Sequence, residues 1–149
     1  DLINWWTGES LFSVNTSNLD KIWYKSKRLG YFEVSGELLI KFSGGTELIL
    51  QSYPNEVKNI IHIELNDKKN WIINEQEGVA YKSKKEILSG KVELQSEMTG
   101  PMVTKILIDG KCNLPHLKES SKQHAIFLEA MLSHWNTCNK SNDKAVPIT

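Results

Sequence analysis

The residues that could carry acid–base or metal chemistry are few and scattered. His124 and His134 lie on one predicted helix, but their spacing puts them about 80° apart around its axis, and no HExxH pair is present. His62 alternates outward from a predicted strand beside Glu64, which is typical of a surface pair. The sequence therefore predicts no metal site, no cofactor and no catalytic acid–base pair.

Nucleophile and phosphate-binding motifs are missing as well. No GxSxG elbow occurs among the serines. The glycine pair in Ser43-Gly44-Gly45 lacks the lysine and the strand-to-helix context of a phosphate loop, so it indicates a hairpin turn. We therefore expect a protein that is not an enzyme.

The two cysteines, Cys112 and Cys138, lack a metal-type spacing. The economical interpretation is one disulfide that closes a loop of about 25 residues, stabilises the fold by roughly 2–4 kcal/mol and implies an oxidising compartment. The alternative is a pair of unbonded core cysteines in a cytosolic protein.

Length and charge restrict the function classes. A chain of 149 residues is the size of one domain. Lys plus Arg and Asp plus Glu number 18 each, so no positive field exists to collect nucleic acid. No apolar run approaches the roughly 18 residues of a membrane span.

Alternating apolar residues predict most of the fold. The stretch Tyr31 to Phe42 alternates as a half-buried strand that Gly36 interrupts with a bulge or bend, and the Ser43–Gly45 turn makes it a hairpin with "TELILQSY". Further strands are predicted in "NIIHIELN", "NWIINE", "VAYKSK", "GKVELQSEM" and "MVTKILID". Short connections favour an antiparallel meander of six or seven strands curled into an open or closed barrel.

Helical spacing appears near the end of the chain. Ser120 or Ser121 can cap a helix through "KQHAIFLEAMLSHW" that covers one end or edge of the sheet. The segment Asn18 to Lys27 fits a helix or a strand. The predicted fold is α+β and mostly β, with an N-terminal exit segment over 1–10, one domain over 11–138 and a flexible tail over 139–149.

One face of the predicted sheet forms a concave apolar surface. It would hold a small hydrophobic ligand or be filled by its own side chains, and an open edge would invite a partner strand. The candidate ligand-binding residues are Phe32, Val34, Leu38, Ile40, Phe42, Leu48, Leu50, Ile61, Ile63 and Trp71.

The chain opens with "DLINWW". Indoles concentrate at membrane interfaces, so Trp5 and Trp6 fit a domain that leaves a single-pass anchor just upstream. Alternatively, the two indoles would pack on the barrel or make the chain dimerise. A cleaved signal peptide would equally explain the missing methionine.

The segments "NWWTGES" and "GYFEVSGELLI" resemble the periplasmic co-regulators of membrane-embedded transcription factors, the ToxS and VtrC type. The resemblance implies a calycin-like barrel built with the periplasmic domain of a membrane-bound regulator. It also implies a hydrophobic ligand such as a bile salt in the apolar chamber.

These observations favour a non-enzymatic periplasmic or secreted binding domain, either free or anchored to the inner membrane. It would hold a hydrophobic small molecule, pair with a membrane-bound regulator, or do both, as a co-regulator of signalling or virulence transcription. A secreted inhibitor or immunity-type protein that blocks a partner enzyme is the alternative, which a filled core and a rigid loop around Glu75 to Gly78 would favour. An enzyme whose site is assembled from scattered residues is the third.

Overall fold

A computed structural model describes residues 1–53, 60–66, 69–90, 95–111 and 115–148 of the chain. The chain divides into two compact units, Asp1–Asn55 with Leu114–Thr149, and Glu56–Asn113, whereas the sequence predicts one domain over 11–138. The helices and strands, in chain order, are α1 Leu2–Thr7, β1 Leu11–Lys25, β2 Phe32–Phe42, β3 Glu47–Ser52, β4 Ile60–Glu64, β5 Asn70–Asn74, β6 Val79–Lys82, β7 Lys85–Ser89, α2 Gln95–Asp109 and α3 Leu117–Asn139.

The predicted α+β, mostly β fold with antiparallel sheets and a C-terminal helix is confirmed, but the single barrel-like meander is wrong. The described strands form two sheets, with the orders β1-β2-β3 and β4-β5-β6-β7, and neither sheet closes on itself. One reason is that the predicted strand "MVTKILID" is the end of helix α2. A short apolar run fits either structure, because its periodicity cannot separate a strand from a buried helix segment. The predicted strand "GKVELQSEM" is also wrong at its end, because its last four residues, Gln95 to Met98, begin helix α2. Its residues 91–94 lie outside the described part of the chain.

The first sheet is irregular along β1. The region from Asn18 to Lys27, for which the sequence allows a helix or a strand, is strand up to Lys25. The pairing of β1 with β2 shifts register on both sides of Leu19, which lies opposite Gly36. Gly36 has a φ of 113°, and a Cβ atom at this position would lie 2.5 Å from the carbonyl oxygen of Asn18. The irregularity that the sequence predicted at Gly36 is therefore present, and it lies mainly on the partner strand.

Helix α3 packs on this sheet and supplies the core of the first unit. Leu19, Leu38 and Met131 form its buried centre, and the partly buried apolar side chains packed around them are Val14, Trp23, Val34, Phe127, Val146 and Ile148. The helix begins at Leu117, after His116, and not at Ser120 or Ser121 as predicted. The Ser120 hydroxyl instead donates to Asp1 Oδ2 at 2.8 Å.

The sequence predicts a flexible tail over 139–149, and the structure describes contacts that residues of this segment make with the first unit. The indole Nε1 of Trp135 donates a 2.7 Å hydrogen bond to Asp143. The backbone N–H of Phe32 donates to the carbonyl of Pro147 at 2.8 Å. Because Val146 and Ile148 also pack against the core, residues 140–148 are part of the first unit.

Glu9 joins the start of the chain to the β2–β3 turn. Its carboxylate accepts hydrogen bonds from the Thr46 hydroxyl at 2.7 Å and from the backbone N–H groups of Gly44 and Thr46 at 3.0 and 3.1 Å. The side-chain hydrogen bond from Thr46 is the main reason that the pKa of Glu9 lies below its ordinary value. The segment between α1 and β1 is thereby fixed to the first sheet.

Candidate functional site

Seven of the ten candidate ligand-binding residues share one face of the first sheet. The register pairs Leu38 with Leu50 and Ile40 with Leu48, and paired residues of an antiparallel sheet point to the same side. The seven candidates on this face are Phe32, Val34, Leu38, Ile40, Phe42, Leu48 and Leu50.

Helix α3 covers much of this face. Leu38 and Val34 belong to the core that contains Met131, and the Phe32 ring lies 4.9 Å from the Trp135 ring. Leu50, on the edge strand β3, keeps 45% of its surface exposed. Side chains of the chain itself therefore occupy the centre of this face.

The other three candidates lie in the second sheet. Ile61 and Ile63 are on β4, and Ile63 pairs with Trp71 of β5. These three residues therefore share a face with one another, and the ten candidates do not line one continuous sheet as the sequence predicted.

An apolar row crosses all four strands of the second sheet on this face. The register aligns Ile61 with Ile73, Ile73 with Ala80, and Ala80 with Leu88. Ala80 is buried, whereas Leu88 is 65% exposed on the edge strand β7. Sequence analysis predicted the strand that contains Ala80 but did not single out this residue, and it missed Leu88 because β7 is short and lacks alternation.

A small open pocket lies beside this row. Its volume is about 240 Å³, and its apolar walls come from Ile73, Val79, Ala80 and Leu88. Binding sites for drug-sized molecules usually span about 300–1,000 Å³. The pocket therefore suits a partner's apolar side chain or a small hydrophobic group better than a whole large ligand.

The turn from Glu75 to Gly78 forms part of the pocket rim. Glu75, Gln76 and Glu77 are exposed. The N–H of Gly78 donates to the Glu75 carbonyl at 3.3 Å, and the N–H of Glu77 donates to Asn74 Oδ1 at 3.1 Å. The turn is therefore an exposed and hydrogen-bonded loop.

Helix α2 presents several large apolar side chains to solvent. Every residue from Glu97 to Asp109 is exposed. Met98, Met102 and Ile106 follow at i, i+4 and i+8, which places them along one side of the helix. The most exposed are Leu107 at 79% and Ile108 at 77%.

Three groups in the first unit have the composition of a catalytic triad without its geometry. The Ser120 hydroxyl and His124 Nε2 both approach Asp1 Oδ2, at 2.8 and 3.3 Å. A serine nucleophile needs a hydrogen bond to the imidazole that takes its proton. Here the carboxylate receives both contacts, so the cluster connects α1 to α3.

His134 and Cys138 form a second pair on α3. The Cys138 Sγ lies 3.6 Å from His134 Nε2, and burial lowers the pKa of His134. Cys138 has no disulfide partner among the described residues, and Cys112 lies outside them, so the pairing of the two cysteines stays a prediction. Among the described ranges, no group of three or more His, Cys, Asp or Glu residues could hold a metal ion.

No helix in the described part of the chain combines the length and apolarity needed to cross a bilayer.

No known protein family, curated protein or solved structure matches this chain.

Proposed function

We propose that this chain is a non-enzymatic binding domain that pairs with a partner protein through the apolar surface of its second unit. The observation that carries the proposal is helix α2. Its large apolar side chains, from Met98 to Ile108, are 38% to 79% exposed.

The low intrinsic stability of α2 argues for a partner protein that covers its apolar side. An isolated helix of about 12–15 residues is marginal in water, and most helix stability comes from a packed apolar face. Helix α2 has 15 residues and contains Pro101, which removes one backbone donor, and the preceding Gly100 weakens the helix further. A partner that buries the apolar side would supply the missing stabilisation.

The second sheet of the same unit offers a further apolar surface. The edge strand β7 is exposed at all five of its residues, and it ends the strand order of its sheet. An exposed edge strand offers backbone N–H and C=O groups to a partner strand. Leu88 and the pocket beside Ala80 would receive the partner's apolar side chains.

The resemblance of "NWWTGES" and "GYFEVSGELLI" to periplasmic co-regulators supports a particular class of partner. We propose that the partner is the extracytoplasmic domain of a membrane-bound regulator. On this proposal, the chain lies in the periplasm or the extracellular space. A hydrophobic small molecule would act by stabilising the assembled complex through its higher affinity for that state.

Substitution of the most exposed apolar residue of α2 tests the proposal. The chain is purified from its host under conditions that preserve non-covalent contacts, and native mass spectrometry measures its complexes. Leu107→Lys should abolish the association with a second polypeptide. Leu29→Lys is the matched control, because Leu29 is 98% exposed but lies in the first unit. A partner that remains bound to Leu107→Lys would contradict the proposal, as would a bare monomer for the parent chain.

The Glu75–Gly78 turn favours a second candidate, an inhibitor or immunity-type protein that blocks a partner enzyme. Such proteins present a rigid loop whose backbone moves little on binding. Replacing Glu75, Gln76 and Glu77 together by alanine would then abolish binding of the partner enzyme, while Leu107→Lys would leave it intact. The opposite pattern supports the leading proposal.

A further inference from the structure

Helix α1 presents three apolar side chains on one exposed face. Leu2, Trp5 and Trp6 are 47%, 56% and 43% exposed, and their i, i+3, i+4 spacing places them on the same side. Tryptophan is highly buried on average. The exposure of both indoles argues against the alternative that they pack onto the body of the protein.

The fold holds this face rigidly. The helix ends at Gly8, whose N–H donates to the Asn4 carbonyl at 2.7 Å, and Asn4 Nδ2 donates to the Glu9 carbonyl at 2.9 Å. At the other end, Asp1 accepts the contacts from Ser120 and His124 on α3. Because α1 is already ordered, binding through this face costs little conformational entropy.

The helix itself carries no charged side chain. No residue from Leu2 to Thr7 is ionisable. The flanking acids are engaged within the fold, Asp1 with α3 and Glu9 with Gly44 and Thr46. The side chains of α1 therefore offer two indole N–H donors and apolar surface, without charged groups of their own of the kind that orient most protein partners.

This chemistry matches the headgroup region of an uncharged bilayer. An indole has an apolar body and one polar N–H, and tryptophan is enriched where hydrocarbon meets water. We propose that Leu2, Trp5 and Trp6 dock α1 into the interface of a zwitterionic phospholipid bilayer, with the rings among the upper acyl chains. The proposal does not depend on the function proposed for the second unit.

Binding to phosphatidylcholine vesicles tests this proposal with the full chain. The chain should float with the vesicles, and its tryptophan fluorescence should shift to shorter wavelength. The double variant Trp5→Ser, Trp6→Ser should lower the partition coefficient at least about tenfold, because it removes most of the apolar area that enters the interface. The control is Phe12→Ser, since Phe12 is 73% exposed on β1 and lies outside α1. Circular dichroism and thermal melting check that the variants fold.

Three results would overturn the proposal. The first is equal vesicle partition of the parent chain and the double variant. The second is binding that requires anionic lipid and disappears in high salt, which would indicate electrostatic attraction. The third is a parent chain that stays off vesicles and sediments as a dimer, with the double variant monomeric, because a second copy would then cover α1.

A measurement without substitution provides an independent check. Lipids brominated near the headgroup should quench the tryptophan fluorescence of the unmodified chain, whereas lipids brominated at the chain ends should quench it less. Absence of quenching by the headgroup-proximal label would also overturn the proposal.

Discussion

Trp135 and Asp143 are joined by a 2.7 Å hydrogen bond from the indole Nε1 to the carboxylate. The bond links helix α3 to the segment after it. The same carboxylate accepts the Ser141 hydroxyl at 2.9 Å, and Asn136 Oδ1 accepts the Asp143 N–H at 3.0 Å. These bonds hold residues 140–148 where Val146 and Ile148 reach the core.

Asp143 should make the stability of the first unit depend on pH. The hydrogen bond from Trp135, followed by that from Ser141, lowers the pKa of Asp143 below its ordinary value of 3.8. A carboxylate with a lowered folded-state pKa stabilises the fold above its unfolded pKa, and that stabilisation is lost as the pH falls through the folded value. The free energy of unfolding of Asp143→Asn, measured by urea denaturation, should therefore not show this decrease below about pH 4.

The control for this titration is Asp20→Asn, on an exposed position of β1. It should keep the pH dependence of the parent chain. An Asp143→Asn variant with the same acid dependence as the parent would show that the carboxylate contributes nothing to the closure of the tail.

Gly36→Ala should destabilise the first sheet more than a glycine substitution in open space. Gly36 and Gly45 both have positive φ, 113° and 98°, but only at Gly36 would a Cβ contact the backbone of β1. Positive φ costs an alanine about 1–2 kcal/mol at either position, and overpacking at Gly36 adds about 1–3 kcal/mol. Equal losses in the free energy of unfolding would contradict the close approach of the Asn18 and Leu19 backbone to Gly36.

Met131→Ala should reduce the free energy of unfolding by about 2–5 kcal/mol, because it opens a cavity between α3 and the first sheet. Met131 is only 4% exposed. Leu128→Ala on the same helix is the control, since Leu128 is 44% exposed, and it should cost less than about 1 kcal/mol. Chemical denaturation measures both, and similar losses would show that Met131 is not central to this core.

The predicted disulfide is tested by mass and by stability. If Cys112 and Cys138 bond under oxidising conditions, the intact chain resists alkylation until it is reduced, and Cys112→Ser lowers the free energy of unfolding by roughly 2–4 kcal/mol. Rapid alkylation of two thiols in the chain from its native compartment, with an unchanged melting midpoint for Cys112→Ser, would reject the pairing.

Local patterns explain why part of this fold could be predicted. The alternation from Phe32 to Phe42 and the Ser43–Gly45 turn indicated the β2–β3 hairpin, which the structure confirms. The apolar spacing around Met131 and Trp135 similarly indicated α3. In both cases neighbours in sequence determine which face is buried.

Long-range contacts explain the rest. Strand β1 changes register opposite Gly36, which disrupts its alternation. The short apolar run from Met102 fits a strand or a helix, and the pairing of Ala80 with Leu88 depends on the unpredicted strand β7. Val146 and Ile148 lie in a polar segment whose packing depends on the contact between Trp135 and Asp143.

A photo-reactive amino acid at position 107, activated in the host cell, tests the central claim most directly. Leu107 lies on the exposed apolar surface of α2, so the account predicts a covalent product between this chain and a second polypeptide. The same amino acid at position 29 should give no such product. Cross-linking at position 29 alone, or at neither position, would contradict the proposal that the second unit binds a partner protein through α2.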